Sequence, residues 1–122
     1  MTRGEFDDFC RGLRGATHVV QWRGASVWKI GGKIFAIYPK WGQGDRAKLS
    51  FKCGDLAYAM LCEQPGCNPA PYLARAKWVR IEADGALSDR DIEAYLRAAH
   101  GIVAGKLTKA KRKELGLNPP SA

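Results

Sequence analysis

The stretch from His18 to Tyr38 restricts the possible folds more than any other part of the chain. Its residues are largely β-branched or aromatic, and it is broken twice, by Arg23-Gly24-Ala25 and by Gly31-Gly32. A Gly-Gly pair supplies the positive φ angles of a two-residue hairpin turn without steric cost. The pattern therefore predicts antiparallel strands over about 18–22, 26–31 and 33–39. A fourth strand is expected at about 47–53, where Leu49, Phe51 and Cys53 alternate with Lys48, Ser50 and Lys52. This is the clearest period-two segment in the chain, and it places one face on a core and two lysines on the other. A fifth strand, over 77–83, carries Val79 and Ile81 on one face and Trp78, Arg80 and Glu82 on the other.

Helices frame these strands. Thr2-Arg-Gly-Glu5 has the spacing of a capping box, and Phe6, Phe9, Cys10 and Leu13 follow on one helical face, so a helix is predicted over about 3–13. Asp55 is placed to cap a short helix through about Glu63, with Leu56, Ala59 and Met60 inward. The segment 64–72 holds three prolines and cannot continue it. Ser88 is expected to cap the longest helix, where Ile92, Tyr95, Leu96, Ala99, Val103 and Leu107 recur at helical spacing. The basic segment from Lys106 is expected to stay helical to about Leu115. The fold class is thus α+β: an antiparallel sheet of about five strands with helices packed on one face. One domain covers 1–117, and 118–122 form a flexible tail.

Composition supports a single soluble domain. The chain has 122 residues, 46% of them hydrophobic and 26% charged, which excludes collagen-like, disordered and membrane-embedded classes. No apolar run approaches the roughly 18 residues that a membrane span needs, and the first residues lack the apolar centre of a signal peptide. A cytoplasmic monomer that avoids membranes is the expectation. Cys10, Cys53, Cys62 and Cys67 are accordingly read as reduced thiols. Twenty Lys and Arg stand against 12 Asp and Glu, a net charge of +8, which draws a protein toward polyanions.

Catalytic patterns are missing from the sequence. His18 and His100 lie far apart with no motif that marks a relay, and there is no nucleophile elbow or phosphate loop. Asp89, Asp91 and Glu93 open a helix, where carboxylates suit the dipole. A metal site would need Cys62 and Cys67 joined by Cys53 or Cys10, and one loose pair is not the paired spacing of structural zinc. No enzyme activity, metal or cofactor is expected. Two basic groups remain. On the solvent face of the sheet, Lys48, Lys52 and Arg80 surround Trp78, a combination that holds phosphates and stacks on bases. The second group, Lys106, Lys109, Lys111, Arg112 and Lys113, is the densest positive charge in the chain. Either group has a bland counterpart, in edge protection of a sheet or in a helix C-terminus.

Five segments in order carry a family resemblance: Phe6-Asp-Asp-Phe-Cys10 with Leu13-Arg-Gly15, Val27-Trp-Lys-Ile-Gly-Gly-Lys-Ile-Phe-Ala36, Leu49-Ser-Phe-Lys-Cys53, Pro69-Ala-Pro-Tyr-Leu73 and Lys77-Trp-Val79. Together they resemble the MmcQ/YjbR family over about residues 5–115. The resemblance implies a CyaY-like α+β fold, also likened to a double-wing DNA-binding domain, and a DNA-binding role. It marks Lys33, Lys52, Tyr72 and Trp78 as matches to the family's motifs. The long helix departs from the family pattern, with Ala99-His100 where Ser-Tyr is common. The leading expectation is a DNA-binding protein that makes weak, low-specificity backbone contacts through Lys33, Lys48, Lys52, Trp78, Arg80 and the basic C-terminal segment. The alternative is a protein-interaction or small-ligand module built from Trp41, Tyr72 and Trp78. Iron handling, by analogy to frataxin, would want an acidic ridge and fits a basic chain poorly.

Overall fold

A computed structural model describes residues 1–39, 49–71, 74–82 and 85–117. Its elements run α1 (Arg3–Arg11), β1 (Ala16–Gln21), β2 (Ala25–Ile30), β3 (Lys33–Tyr38), β4 (Ser50–Lys52), α2 (Asp55–Cys62), β5 (Cys67–Pro69), a 3-10 turn (Ala74–Ala76), β6 (Trp78–Ile81), α3 (Asp89–Ala104) and α4 (Lys109–Glu114). The strands form one antiparallel sheet in the order β1-β2-β3-β4-β6-β5. The α+β class with helices over the sheet is as the sequence predicts. The sixth strand, β5, falls in the proline-rich segment read as irregular. It lies at the sheet edge, where Pro69 lacks an N–H that no further strand requires.

The core lies between the sheet and the helices α1 and α3. Phe6, Phe35, Phe51, Leu49, Ile30 and Leu96 are fully buried in it. Phe51 stacks on Tyr95 of α3 with ring centres 5.5 Å apart. A register shift after Trp28 lets β3 turn both Phe35 and Ala36 into the interior. The β2–β3 turn is the Gly-Gly hairpin anticipated above, with φ of +60° at Gly31 and +83° at Gly32. At Gly31 a Cβ would stand 2.6 Å from Leu107, so the turn also seats the segment after α3.

Three local expectations are corrected. The basic segment does not continue the long helix: α3 ends at Ala104, Gly105 and Lys106 turn the chain, and Thr108 caps α4 by accepting the Lys111 N–H at 3.1 Å. Anchoring Leu107 against the hairpin wins over helix continuity. Helix α2 is capped by Gly54 without a side-chain bond, and Asp55 is its first helical residue. Its expected inward face is also turned outward. Leu56 is 75% and Met60 60% exposed, while Leu61 is buried. The short helix is oriented by Leu61, Ala57 and Tyr58 against the core instead.

Candidate nucleic-acid interface

The charges divide along α3, a helix about 24 Å long at 1.5 Å per residue. At its start lie six carboxylates, Glu5, Asp7 and Asp8 on α1 and Asp89, Asp91 and Glu93 on α3, interleaved with Arg3, Arg11, Arg90 and Arg97. The N-terminal ammonium bridges Asp89 at 3.0 Å, which holds the two helix starts side by side. Between Glu93 and Glu114 the chain has no carboxylate and six Lys or Arg. The far end of α3 is therefore basic, and the fold adds to it. The Gly31-Gly32 turn packs on Leu107 and presents exposed Lys33 beside it. Lys52, at the end of β4, lies close enough to Lys106 to feel its charge. Lys52, of the first basic group, thus lies near Lys106, of the second, with Lys33 on the turn that packs against Leu107 and Lys109 and Lys113 following on α4.

Other expected contacts are removed. Trp78 is 5% exposed, packed in the interior beside Lys52 in register, so it offers no ring for base stacking. The strand alternation that sends it away from Val79 does not send it into water. Arg80 donates through Nε to Glu82 at 2.8 Å, and the same carboxylate accepts from Asn68 at 2.9 Å. It is paired in place, which leaves Lys52 as the one cation of the expected sheet-face group that forms no ion pair among the described residues. Arg112 folds back on its own connection, donating through Nη1 to the carbonyls of Leu107 at 2.6 Å and Gly105 at 3.2 Å. Its role is to close the turn between α3 and α4. Lys111 pairs with Glu114 at 3.6 Å. With Trp78 buried, the aromatic alternative loses one of its three members. Trp41, Lys48 and Tyr72 lie outside the described residues.

A polar cluster missed by the sequence reading ties α1 to the sheet. Asp7 accepts from Trp28 Nε1 at 2.9 Å and from the Ser26 hydroxyl, and Ser26 Oγ lies 2.7 Å from His18 Nε2. The residue types are those of a hydrolase triad, but the wiring differs. Serine stands between histidine and aspartate, its proton committed to the carboxylate, and Ser26 is fully buried. A nucleophile needs the base on its own proton and an open approach, so this cluster serves as an anchor. His18 further packs on Trp28, with ring centres 4.7 Å apart. His100 bonds the Arg14 carbonyl at 2.7 Å and meets Phe35 edge-on. The 19-residue separation of Asp7 and Ser26 leaves no local signal of any of this.

The cysteines are all free thiols. Burial pushes Cys10 up to about 12, helped by the nearby Asp7 charge. Burial likewise raises Cys53 to about 12, with Cys62 the next contributor. The fold does bring Cys53, Cys62 and Cys67 near one another, yet among the described residues no three such groups converge on a metal-binding geometry. Among the same residues no helix is long and apolar enough to cross a membrane.

Comparison with known proteins fits this architecture. The YjbR family model matches residues 11–102. The chain belongs to the YjbR family. Its fold is similar to that of the Deinococcus radiodurans protein DR2400, which carries the DUF419 domain. The two share 26% identity at a TM-score of 0.85, over 99% of this chain and 91% of the other. A Pseudomonas syringae protein shares the fold at a TM-score of 0.67 and 19% identity, over 84% of this chain and 99% of the other. No curated protein matches the chain. Of the described positions that the resemblance marks, Lys33 is exposed on the β2–β3 turn, Lys52 ends β4, and Trp78 is buried opposite Lys52.

Proposed function

We propose that this YjbR protein is a small, non-enzymatic DNA-binding domain that holds the phosphate backbone through its basic end. The carrying observation is the separation of charge along α3. Lysines 33, 106, 109 and 113 have no ion-pair partner among the described residues, whereas Arg80, Lys111 and Arg112 are occupied within the fold. Cations left unpaired release counterions from DNA when they meet phosphates, and this gain is insensitive to base sequence. Lys33, Lys52, Lys106, Lys109 and Lys113 are the assigned contacts.

Anisotropy titration of a labelled duplex across roughly 50–200 mM salt tests the assignment. If all five lysines neutralise phosphates, log K falls with log salt with a slope of about −4.5, at about 0.9 per contact. Reversing Lys106, Lys109 and Lys113 to Glu should remove most of the affinity, and Arg80→Glu should remove little. Absence of binding at the lowest salt would overturn the proposal.

A further inference from the structure

Three lysines flank the junction where β4 runs into α2. Lys52 Nζ donates to the Ala76 carbonyl, which carries its charge to the turn just before Lys77. The Cys53 N–H donates to the Lys77 carbonyl at 2.9 Å, fixing the two segments side by side. Lys77 adopts φ +62°, an uncommon conformation for a side-chain-bearing residue, and its Nζ stands 5.0 Å from the Tyr58 ring centre on α2. The last turn of α3 reaches the same junction, where Ile102 comes within 3.9 Å of a Cβ built at Gly54, and Lys106 follows four residues later. Partial burial lowers the Lys52 ammonium from its usual value; Lys106 adds to this and Lys77 contributes, while Asp55 and Cys53 oppose. One facing carboxylate against three cations leaves the corner positively charged.

We infer that Lys52, Lys77 and Lys106 form a seat for one phosphate group. Crowded like charges cost free energy in the empty protein, and a compact dianion converts that repulsion into attraction. Lysine suits such a ligand as a flexible point charge with three donors. The Lys77 carbonyl accepts the Cys53 N–H, so its left-handed backbone joins β4 to the start of β6 while its side chain reaches the Tyr58 ring on α2. The seat shares the basic end described above but does not depend on duplex binding. Its phosphate comes either from a small phosphate monoester or from a phosphorylated nucleic-acid terminus.

Pyridoxal 5′-phosphate is the probe. Its aldehyde condenses with an uncharged lysine amine with loss of water, and borohydride then delivers hydride to the imine carbon, leaving a stable secondary amine. Peptide mapping should find Lys52, Lys77 or Lys106 labelled well before the other seven lysines of the chain. Inorganic phosphate should slow that labelling several-fold, and pyridoxal without the phosphate should show no preference. In Lys106→Gln, whose altered side chain is exposed, the protection by phosphate should weaken. Competition by glycerol phosphate and by a 5′-phosphorylated oligonucleotide names the source as whichever protects at lower concentration. Labelling spread over all ten lysines, or no protection by any phosphate, would overturn the seat. Protection without duplex binding would sink the DNA proposal and leave the seat standing.

Discussion

The two ends of α3 hold comparable numbers of charged groups and use them in opposite ways. Where α1 and α3 begin, carboxylates are engaged: Asp7 with Ser26 and Trp28, Asp89 with the N-terminus, Asp8 with Arg11 at 2.9 Å, and Glu5 with the Thr2 N–H at 2.8 Å. Where α3 stops, Lys106, Lys109 and Lys113 face water without acidic partners among the described residues, and Lys106 lies near Lys52. Charge at the first end fixes how helices meet the sheet. At the second, Arg112, Lys111 and Lys52 are engaged within the fold, whereas Lys106, Lys109 and Lys113 form no ion pair among the described residues, and the proposed DNA contact rests on that excess.

The comparison breaks if removing an acid from the anchored end is harmless. Asp7→Ala leaves the Ser26 hydroxyl and the Trp28 indole N–H buried without their acceptor, and should cost about 3 kcal/mol in urea unfolding. Lys106→Ala should cost almost nothing in the same experiment, and equal losses would end the distinction. At the basic end stability resides in packing, so the next largest effect belongs to Gly31→Ala. Its Cβ meets Leu107 at 2.6 Å in a left-handed conformation, and about 2 kcal/mol should be lost. Gly32→Ala, with the same backbone penalty but open space, should cost about 1 kcal/mol.

Features set by neighbours in sequence were legible, and features set by distant partners were not. The Thr2–Glu5 capping box, the Gly31-Gly32 hairpin and the Ser88 cap follow from side chains within three residues of the backbone groups they serve. Trp78 misled because alternation assigns it a face but not what covers that face. Arg80 and Arg112 counted as cations in sequence, and only the fold shows Glu82 and the turn carbonyls taking them up. In sequence Lys77 starts the expected fifth strand and the Lys77-Trp-Val79 segment, and its charge belongs to neither basic group. It carries one charge at the end of an irregular stretch, and its importance comes from β4, α2 and the end of α3 arriving around it. The break after Ala104 had a signal in Gly105 and Thr108, a C-terminal glycine followed by a new cap, which the apolar periodicity through Leu107 outweighed.

Alkaline pH sharpens the contrast through two buried thiols. Cys10, on α1, is raised from 9.0 to about 12 by burial and then by Asp7, and Cys53 is raised to the same level by burial and Cys62 while Lys52 pulls it down. Each thiol keeps its proton in the folded chain at pH values where the unfolded chain has released it. The unfolded state then binds fewer protons, so stability is intact below pH 9 and falls between pH 9 and about 12. Urea melts at pH 8 and pH 10.5 should show the decline in the parent chain. Cys10→Ala and Cys53→Ala should each start lower, through the lost packing, and decline less steeply. Equal slopes in all three chains would show that the thiols are not what senses pH.

The smallest effect on stability should accompany a clear effect on binding. Lys109 and Lys113 are exposed on α4, away from any described carboxylate except Glu114, which Lys111 engages. Alanine suits a helix at least as well as lysine, so Lys109→Ala and Lys113→Ala should each alter unfolding by no more than about 0.5 kcal/mol. If both lysines meet phosphates, each substitution should also reduce the duplex salt slope by about 0.9. Thr108→Ala separates the helix from its charges. It removes the hydroxyl that accepts the Lys111 N–H, costs about 1 kcal/mol and leaves every lysine in the chain. An unchanged salt slope in Thr108→Ala with a reduced one in Lys109→Ala places the effect in charge. The reverse pattern would place it in the shape of α4, and the unpaired lysines would then have no claim on the DNA backbone.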